Sequence, residues 1–268
     1  MERNPRVDAV ATDMIEAIKQ VMSDHDLTHS EYRAGWMWMM KLAGSGEIPL
    51  FLDVFFESAV ERLTFDDKPG SKGAVQGPYH SDAAQLLEAP YVLPMRDDEA
   101  GEPIVFSGQV TDLDGTPVVG ADVDVWHASN DGTYSGFTGD ETCPPDNLRG
   151  ILRTDDQGRF TFRSIRPAPY QIPHNGPTGE FLAMLGRHSW RPAHFHFTID
   201  APGFDSLTTQ LYFAGDPWLE KGDCVDAVKD ELVIDVGKGE DAQVLDTYGI
   251  PDAPYLTAEY TWQLRPSA

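Results

Sequence analysis

The sequence has few cysteines and no long apolar run, and each shortage excludes a class of protein. Only Cys143 and Cys224 occur among 268 residues, and they do not form a Cys-x-x-Cys pair. A disulfide framework of the kind found in small secreted scaffolds, or a thiol-bound zinc site, is therefore not expected. No window approaches the roughly 18 uninterrupted apolar residues of a membrane span, and the N-terminus has no apolar signal-peptide core. We expect a cytoplasmic protein without membrane insertion.

Basic residues are also scarce. The chain has 44 Asp and Glu residues against 20 Lys and Arg residues, which gives a formal net charge of -24. This excess of negative charge opposes the counterion release that drives binding to nucleic acids or anionic membranes. We therefore expect no nucleic-acid partner.

Three helices are predicted near the start of the chain. From residue 7 to residue 21 apolar residues recur at steps of three and four, as on one face of an amphipathic helix. Thr28 with Glu31 three residues later resembles a capping box, and the following run continues to Leu42. Residues 50 to 63 make a third helix.

After Lys68 the pattern changes to short apolar runs separated by Gly, Pro and Asp. The runs cover residues 104–110, 121–126, 159–162 and 207–213, and turns at 114–116 and 155–158 are predicted to close hairpins between neighbouring runs. These features predict a mainly β fold. It comprises an antiparallel β-sandwich domain over residues 101–268 and a helical N-terminal domain over residues 1–100.

A His-x-His pair is the first sign of a metal site. In a strand, His194 and His196 point to one face while Phe195 and Phe197 point to the other, so the two imidazoles converge on one point. Such a pair suits a metal, but two histidines hydrogen-bonded at a sheet edge show the same pattern.

Two tyrosines in turn-rich segments, Tyr134 and Tyr170, bear on the choice of metal. A tyrosine in a loop usually serves packing. If both are ligands, each phenol has to lose a proton with a pKa near 10, and a hard trivalent cation favours this more than Zn(II) or Fe(II) does. Ferric iron then fits best, and two phenolates with one hydroxide leave a neutral site suited to a catechol dianion.

At these residues the chain resembles the intradiol ring-cleavage dioxygenases, in the catechol and chlorocatechol 1,2-dioxygenase branch. The resemblance rests on several motifs in order over most of the chain. They are Val75-Gln76-Gly77-Pro78-Tyr79, Asp124-Val125-Trp126-His127 through Tyr134, Leu148-Arg149-Gly150, Pro169-Tyr170-Gln171-Ile172-Pro173, Gly176-Pro177-Thr178-Gly179, residues 186 to 196 and Thr209-Gln210-Leu211-Tyr212-Phe213.

The resemblance implies one Fe(III) per chain, held by Tyr134, Tyr170, His194 and His196. It also implies a homodimer formed through the N-terminal helical domain, with a phospholipid bound between the helical domains.

By the same resemblance, the substrates are a small aromatic diol and O2. Tyr170 is the ligand that leaves when the diol binds and that takes a substrate proton, and Arg191 stabilises negative charge developing on the ring. The residues matching substrate-pocket positions are Leu50, Asp53, Val54, Gly77, Pro78, Tyr79, Arg191, Gln210 and Cys224.

The ring substituent and two other functions stay open. Catechol, chlorocatechols, methylcatechols and hydroxyquinol all suit this ligand set, although the length, Tyr79 and Cys224 favour the chlorocatechol branch. A hydroxyquinol 1,2-dioxygenase is one alternative. A non-catalytic β-sandwich binding module and a zinc hydrolase using His194, His196 and a carboxylate are alternatives of other classes.

Overall fold

The computed structural model describes residues 3–137 and 143–267, in which helices precede strands. The helices are α1 (Pro5–Asp24), α2 (His29–Gly44), α3 (Ile48–Leu52), α4 (Ser58–Phe65), α5 (Pro177–Met184), α6 (Pro217–Lys221) and α7 (Ala242–Tyr248), with a π-helical turn at Asp53–Glu57 and a 3-10 turn at Asp230–Leu232. The strands are β1 (Tyr91–Val92), β2 (Pro103–Asp112), β3 (Asp122–His127), β4 (Arg149–Arg153), β5 (Arg159–Ile165), β6 (Tyr170–Gln171), β7 (Trp190–Arg191), β8 (His194–Asp200), β9 (Leu207–Phe213), β10 (Val233–Ile234), β11 (Gly237–Gly239) and β12 (Tyr255–Leu264).

The chain divides into two units, Met1–Ile48 and Pro49–Ala268. The first contains α1 and α2, and both predicted helices are confirmed. Asn4 caps α1 by accepting hydrogen bonds from two backbone amides, and Thr28 forms the predicted capping box with Glu31 at the start of α2. No helix among the described residues is long and apolar enough to cross a bilayer. The predicted boundary at residue 100 stays a prediction.

The third predicted helix contains one unusual turn. Residues 50 to 63 are helical, as predicted, but Asp53–Glu57 forms a π-helical turn between α3 and α4. The prediction did not include this turn, because apolar periodicity does not distinguish one turn of i→i+5 hydrogen bonds from an α-helical turn. Single π-turns inside helices often mark functional sites.

The second unit contains two five-stranded sheets, in the strand orders β1-β5-β2-β12-β11 and β10-β9-β8-β3-β4. Three strand pairs are parallel, namely β1 with β5, β10 with β9, and β12 with β2. The prediction of antiparallel strands holds for the other described pairs but is wrong for these three, because their partners are distant in sequence and hairpin signals do not report on them. Helices make up 30% of the structure and strands 26%, so a mainly β description fits only the second unit.

The two predicted turns do not close hairpins between neighbouring strands. The Asp112 carboxylate accepts from the amides of Asp114 and Thr116, and the Asp155 carboxylate accepts from those of Gln157 and Arg159. Each turn forms as its residues predict. However, each passes the chain from one sheet to the other, since β2 and β5 belong to one sheet and β3 and β4 to the other.

Aromatic side chains from both sheets form one core. Phe106 of β2 lies 5.9 Å from Phe195 of β8, and Phe197 of β8 lies 4.7 Å from Trp262 of β12, as measured between ring centroids. All four are fully buried. The face of β8 that carries the two phenylalanines therefore belongs to the core, and the alternate residues His194 and His196 face the other way.

We predict that Gly158→Ala destabilises the protein more than Gly115→Ala. Both glycines have left-handed backbone angles, with φ of +67° and +84°, so an added Cβ costs each about 1 kcal/mol. At Gly158 the new Cβ would also lie 2.4 Å from the Val110 carbonyl oxygen, whereas at Gly115 it meets nothing within 4 Å. Urea unfolding should show a further loss of about 1–2 kcal/mol for Gly158→Ala. Equal losses in the two variants would contradict the close contact.

Candidate active site

Three polar atoms converge on the face of β8 that is turned away from the core. The Nε2 atoms of His194 and His196 lie 3.0 Å apart, and the Tyr134 hydroxyl lies 3.5 Å from the first and 3.1 Å from the second. All three side chains are buried. The loop after β3 delivers Tyr134, so the alternation in β8 and this loop together build the cluster.

Tyr170 joins the cluster from β6, which pairs with β7 in a two-stranded antiparallel sheet. Its ring centroid lies 5.4 Å from that of Tyr134 and 5.7 Å from that of His194. Gly132 allows this approach, since a Cβ there would lie 2.7 Å from the Tyr170 Cβ. The structure thus brings the four predicted ligands together, while their role as ligands stays a prediction.

The two histidines are held in fixed orientations. His194 donates from Nδ1 to the Pro192 carbonyl at 2.7 Å, which leaves Nε2 free to face the cluster. The Trp126 ring stacks on His196 at 4.7 Å with an interplanar angle of 8°. Neighbours that fix the orientation of a histidine ring in this way are typical of metal sites.

The electrostatics of the cluster fit a cation of high charge. Burial keeps the pKa of both imidazoles well below the usual value. Arg191 lowers the pKa of His194 further, and His194 lowers that of His196 further, so both imidazoles are neutral and offer a lone pair. Burial and then the nearby Tyr170 raise the pKa of Tyr134 well above 10, and burial also raises the pKa of Tyr170. Neither phenol ionises near neutral pH without a compensating positive charge. Two imidazoles and two phenols are therefore a donor set that Fe(III) fits.

The zinc alternative requires a third ligand of another kind. Within residues 3–137 and 143–267, no group of three or more His, Cys, Asp or Glu side chains is arranged to hold a metal. A zinc hydrolase that combines His194 and His196 with a carboxylate is thus not supported by this arrangement.

Arg191 adjoins the cluster and is held by a buried ion pair. Its Nε and Nη2 donate to the two carboxylate oxygens of Asp223 at 3.1 and 3.0 Å, and only 4% and 1% of the two side chains are exposed. Nη2 also donates to Gln210 at 2.8 Å, and Nη1 lies 3.3 Å from His194 Nε2. The guanidinium is therefore fixed beside the candidate metal ligands.

A narrow cleft opens next to Tyr170 and Arg191. Besides these two it is lined by Leu50, Asp53, Val54, Glu57, Val75, Gly77, Pro78, Tyr79, Ile172 and Val225. Of the residues predicted to bind substrate, only two lie off this lining. Gln210 is buried behind the wall and hydrogen-bonded to the Val75 carbonyl, and Cys224 packs in the apolar cluster that contains Val54 and Tyr134.

Comparison with known proteins identifies the family. The model "Catechol dioxygenase N terminus" matches residues 4–72, and the model "Dioxygenase" matches residues 75–267. The chlorocatechol 1,2-dioxygenase of Rhodococcus opacus is 43% identical over 251 residues, which cover 91% of this chain and 96% of the relative. The chain belongs to the intradiol dioxygenase family, in its catechol and chlorocatechol branch. Membership implies a non-haem iron cofactor.

Solved structures of this family show the same fold. The 3-chlorocatechol 1,2-dioxygenase from Rhodococcus opacus 1CP matches with a TM-score of 0.89 and 41% identity, covering 98% of this chain and 99% of that one. A hydroxyquinol 1,2-dioxygenase from Pseudomonas putida DLL-E4 also gives a TM-score of 0.89, with 31% identity and coverage of 100% and 94%. The fold therefore does not separate the substrates, whereas sequence identity favours the chlorocatechol enzymes.

Sequence reasoning missed Asp223, which completes this intradiol dioxygenase site. Besides holding Arg191, its carboxylate accepts hydrogen bonds from the amides of Val225 and Ala227 at 3.2 and 3.3 Å, and so shapes the loop at the cleft. Nothing in its spacing distinguishes it from the other acidic residues of a chain with 44 of them.

Glu57 was also missed, although a signal for it existed. It follows Asp53 by four residues and Val54 by three, so a helix places it on the same face as those two residues. Burial and the negative charge of Asp53 raise the pKa of Glu57 to about 7, although the positive charge of Arg191 opposes this shift.

We predict that Asp223→Asn destabilises the protein by about 3 kcal/mol, because the buried Arg191 guanidinium loses its counter-charge. The control is Asp205→Asn. Asp205 pairs with Arg265 at 2.6 Å, but these side chains are 39% and 22% exposed, so its loss should cost less than about 1 kcal/mol. Chemical unfolding of both variants gives the comparison. Similar losses would show that Asp223 does not neutralise a buried charge.

Proposed function

We propose that this chain is a non-haem Fe(III) intradiol dioxygenase. It cleaves catechol, or a chloro- or methyl-substituted catechol, between the two hydroxylated carbons. Both atoms of O2 enter the product, the corresponding cis,cis-muconate. The observation that carries the proposal is the convergence of Tyr134, Tyr170, His194 and His196, in a member of this family, beside a cleft.

These four residues are proposed to hold one Fe(III) per chain. When bound, the ion supplies the positive charge that favours loss of the substrate protons and the means by which ring electrons reach O2. The protein contributes a buried site in which both imidazoles are neutral and the donors are already close together. Little rearrangement is then needed when the metal enters.

The chain's own residues bind the diol and handle its protons. Tyr170 lies on the cleft wall, so its hydroxyl oxygen, once ionised, is placed to take a proton from a substrate hydroxyl. Arg191 lies on the same wall and is fixed by Asp223, so its charge stabilises negative charge that develops on the ring and its oxygens. Val54, Val75 and Ile172 give the cleft apolar walls that exclude water.

The choice among ring substituents rests on the walls rather than on the metal ligands. Tyr79 stacks on Tyr134 with a centroid distance of 4.6 Å and an angle of 17°, and so closes one side of the cleft. Residues Leu50 and Val54 form another side. The higher identity to chlorocatechol enzymes than to the hydroxyquinol enzyme supports the first class over the second. A non-catalytic binding module does not account for the buried tyrosines beside the histidine pair.

We also propose a homodimer formed through the N-terminal helices, with a phospholipid between them. No residue of α1 is buried, and its apolar face is open, with Val7, Met14 and Val21 58% to 62% exposed. Met37 and Met40 of α2 are 56% and 63% exposed. Exposed apolar surface of this extent on two helices supports a covering partner. A cytoplasmic location stays a prediction.

We predict that the purified protein is red-brown with about one iron per chain, because phenolate-to-Fe(III) charge transfer absorbs visible light. His194→Ala and His196→Ala should lose iron. Tyr170→Phe should retain more iron than Tyr134→Phe, since Tyr170 is the proposed departing ligand. Metal analysis and visible spectra measure both effects.

Tyr248→Phe is the control for the tyrosine variants. It removes a phenol oxygen that lies 3.5 Å from the Thr161 carbonyl, away from the cluster, and should leave iron and colour intact. A colourless wild-type protein that cleaves catechol would contradict the tyrosinate ligands. Equal iron loss in Tyr134→Phe and Tyr170→Phe would contradict the assignment of Tyr170.

We predict that the protein is a dimer at micromolar concentration. Replacing Val7, Met14 and Val21 by serine should shift sedimentation toward the monomer, because these side chains provide apolar surface that the proposed interface buries. The same number of serine substitutions at exposed polar positions of α1, namely Asp13, Glu16 and Gln20, is the control. A wild-type monomer in the ultracentrifuge would contradict the dimer.

A further inference from the structure

The π-helical turn places two carboxylates on one wall of the cleft. Asp53 begins the turn and Glu57 ends it, and both line the cleft. Of the described residues on this lining, Arg191 is the one cation, and its charge is already matched by Asp223 at 3.0 Å. Once ionised, Asp53 and Glu57 therefore give the cleft negative charge that Arg191 does not neutralise.

Glu57 is poorly compensated by its surroundings. The backbone amide of Gln76 hydrogen-bonds its carboxyl group, but its Oε2 atom is buried and has no hydrogen-bond partner among the described residues. Asp53 is partly buried, and burial raises its pKa as well. Two carboxylates in a partly buried cleft repel an anionic ligand more strongly than they would in bulk water, because the dielectric constant is lower there.

The ring substituent is the part of the substrate that meets this wall. In the proposed function the two substrate oxygens are directed to the cluster of Tyr134, Tyr170, His194 and His196, so the opposite edge of the ring faces the remaining lining. Leu50 and Val54 offer contacts to any apolar group, whereas Asp53 and Glu57 distinguish groups by charge.

We propose that Asp53 and Glu57 form an electrostatic filter that selects catechols by the charge of the ring substituent. The filter disfavours an anionic substituent such as a carboxylate and favours a cationic one such as an aminomethyl group, with uncharged substituents between them. This inference rests on the proposed function and adds Glu57 to its specificity-determining residues.

The test compares the iron-loaded wild type with Glu57→Gln, Asp53→Asn and the double variant. The substrates are catechols with a 4-carboxylate, a 4-methyl or a 4-aminomethyl group, assayed at about pH 8, which lies above the pKa of about 7 of Glu57. Two quantities are measured, namely kcat/KM in air and, without O2, the dissociation constant from the change in the visible band. Asp67→Asn, which removes an exposed charge outside the cleft, is the matched control.

We expect the double variant to raise the carboxylate-to-methyl ratio of kcat/KM by about tenfold or more and to lower the aminomethyl-to-methyl ratio by a similar factor. The dissociation constants should follow the same two directions, and Asp67→Asn should change neither ratio. If the double variant does not fold, each single variant should show about threefold in each direction.

Ratios that stay constant, or that both move in the same direction, would overturn the filter, because a change of shape does not reverse its effect with the sign of the substituent. A wild type that cleaves none of the three catechols would instead contradict the proposed function. The dissociation constants would still decide whether the carboxylates select by charge.

Discussion

Strand β8 has to serve two environments at once, and the rest of the second unit depends on this. Its residues alternate between an aromatic core, entered by Phe195 and Phe197, and a polar site, entered by His194 and His196. A shift of one residue in its pairing with β3 or β9 would exchange the two sets. The register of β8 is therefore set jointly by the burial of aromatic surface and by the convergence of the imidazoles.

Around this strand, the site is built from neutral and charged groups that compensate one another. The imidazoles are uncharged, the phenols require a cation, and Arg191 requires Asp223. Each group alone would be costly to bury, and each becomes tolerable through a named neighbour or the metal. Glu57 is the exception, since one of its oxygens is left without such a neighbour. A buried charge without a partner can discriminate between ligands, because it interacts differently with ligands of different charge.

Features that depend on neighbouring residues could be predicted from the sequence. The capping box at Thr28, the apolar period of α1 and the alternation in β8 are of this kind, and all three are confirmed. The pairing of β12 with β2, the π-turn at Asp53–Glu57 and the crossing turns could not be predicted, because they depend on contacts between distant segments or on a single inserted residue. Asp223 was missed for a related reason, since its importance comes from Arg191, 32 positions away in the chain.

The parallel pairing of β12 has a consequence for how the chain folds during its synthesis. This strand lies between β2 and β11 in its sheet and supplies Trp262 to the core, yet it comes after all the other strands in the chain. The residues of the candidate site, up to Asp223, leave the ribosome well before it. Until β12 arrives, β2 has an open edge and the aromatic core lacks one of its largest members, so the nascent chain presents these surfaces to chaperones or to other chains. Completion of the aromatic core behind β8 thus waits for β12, which follows the site residues in the chain.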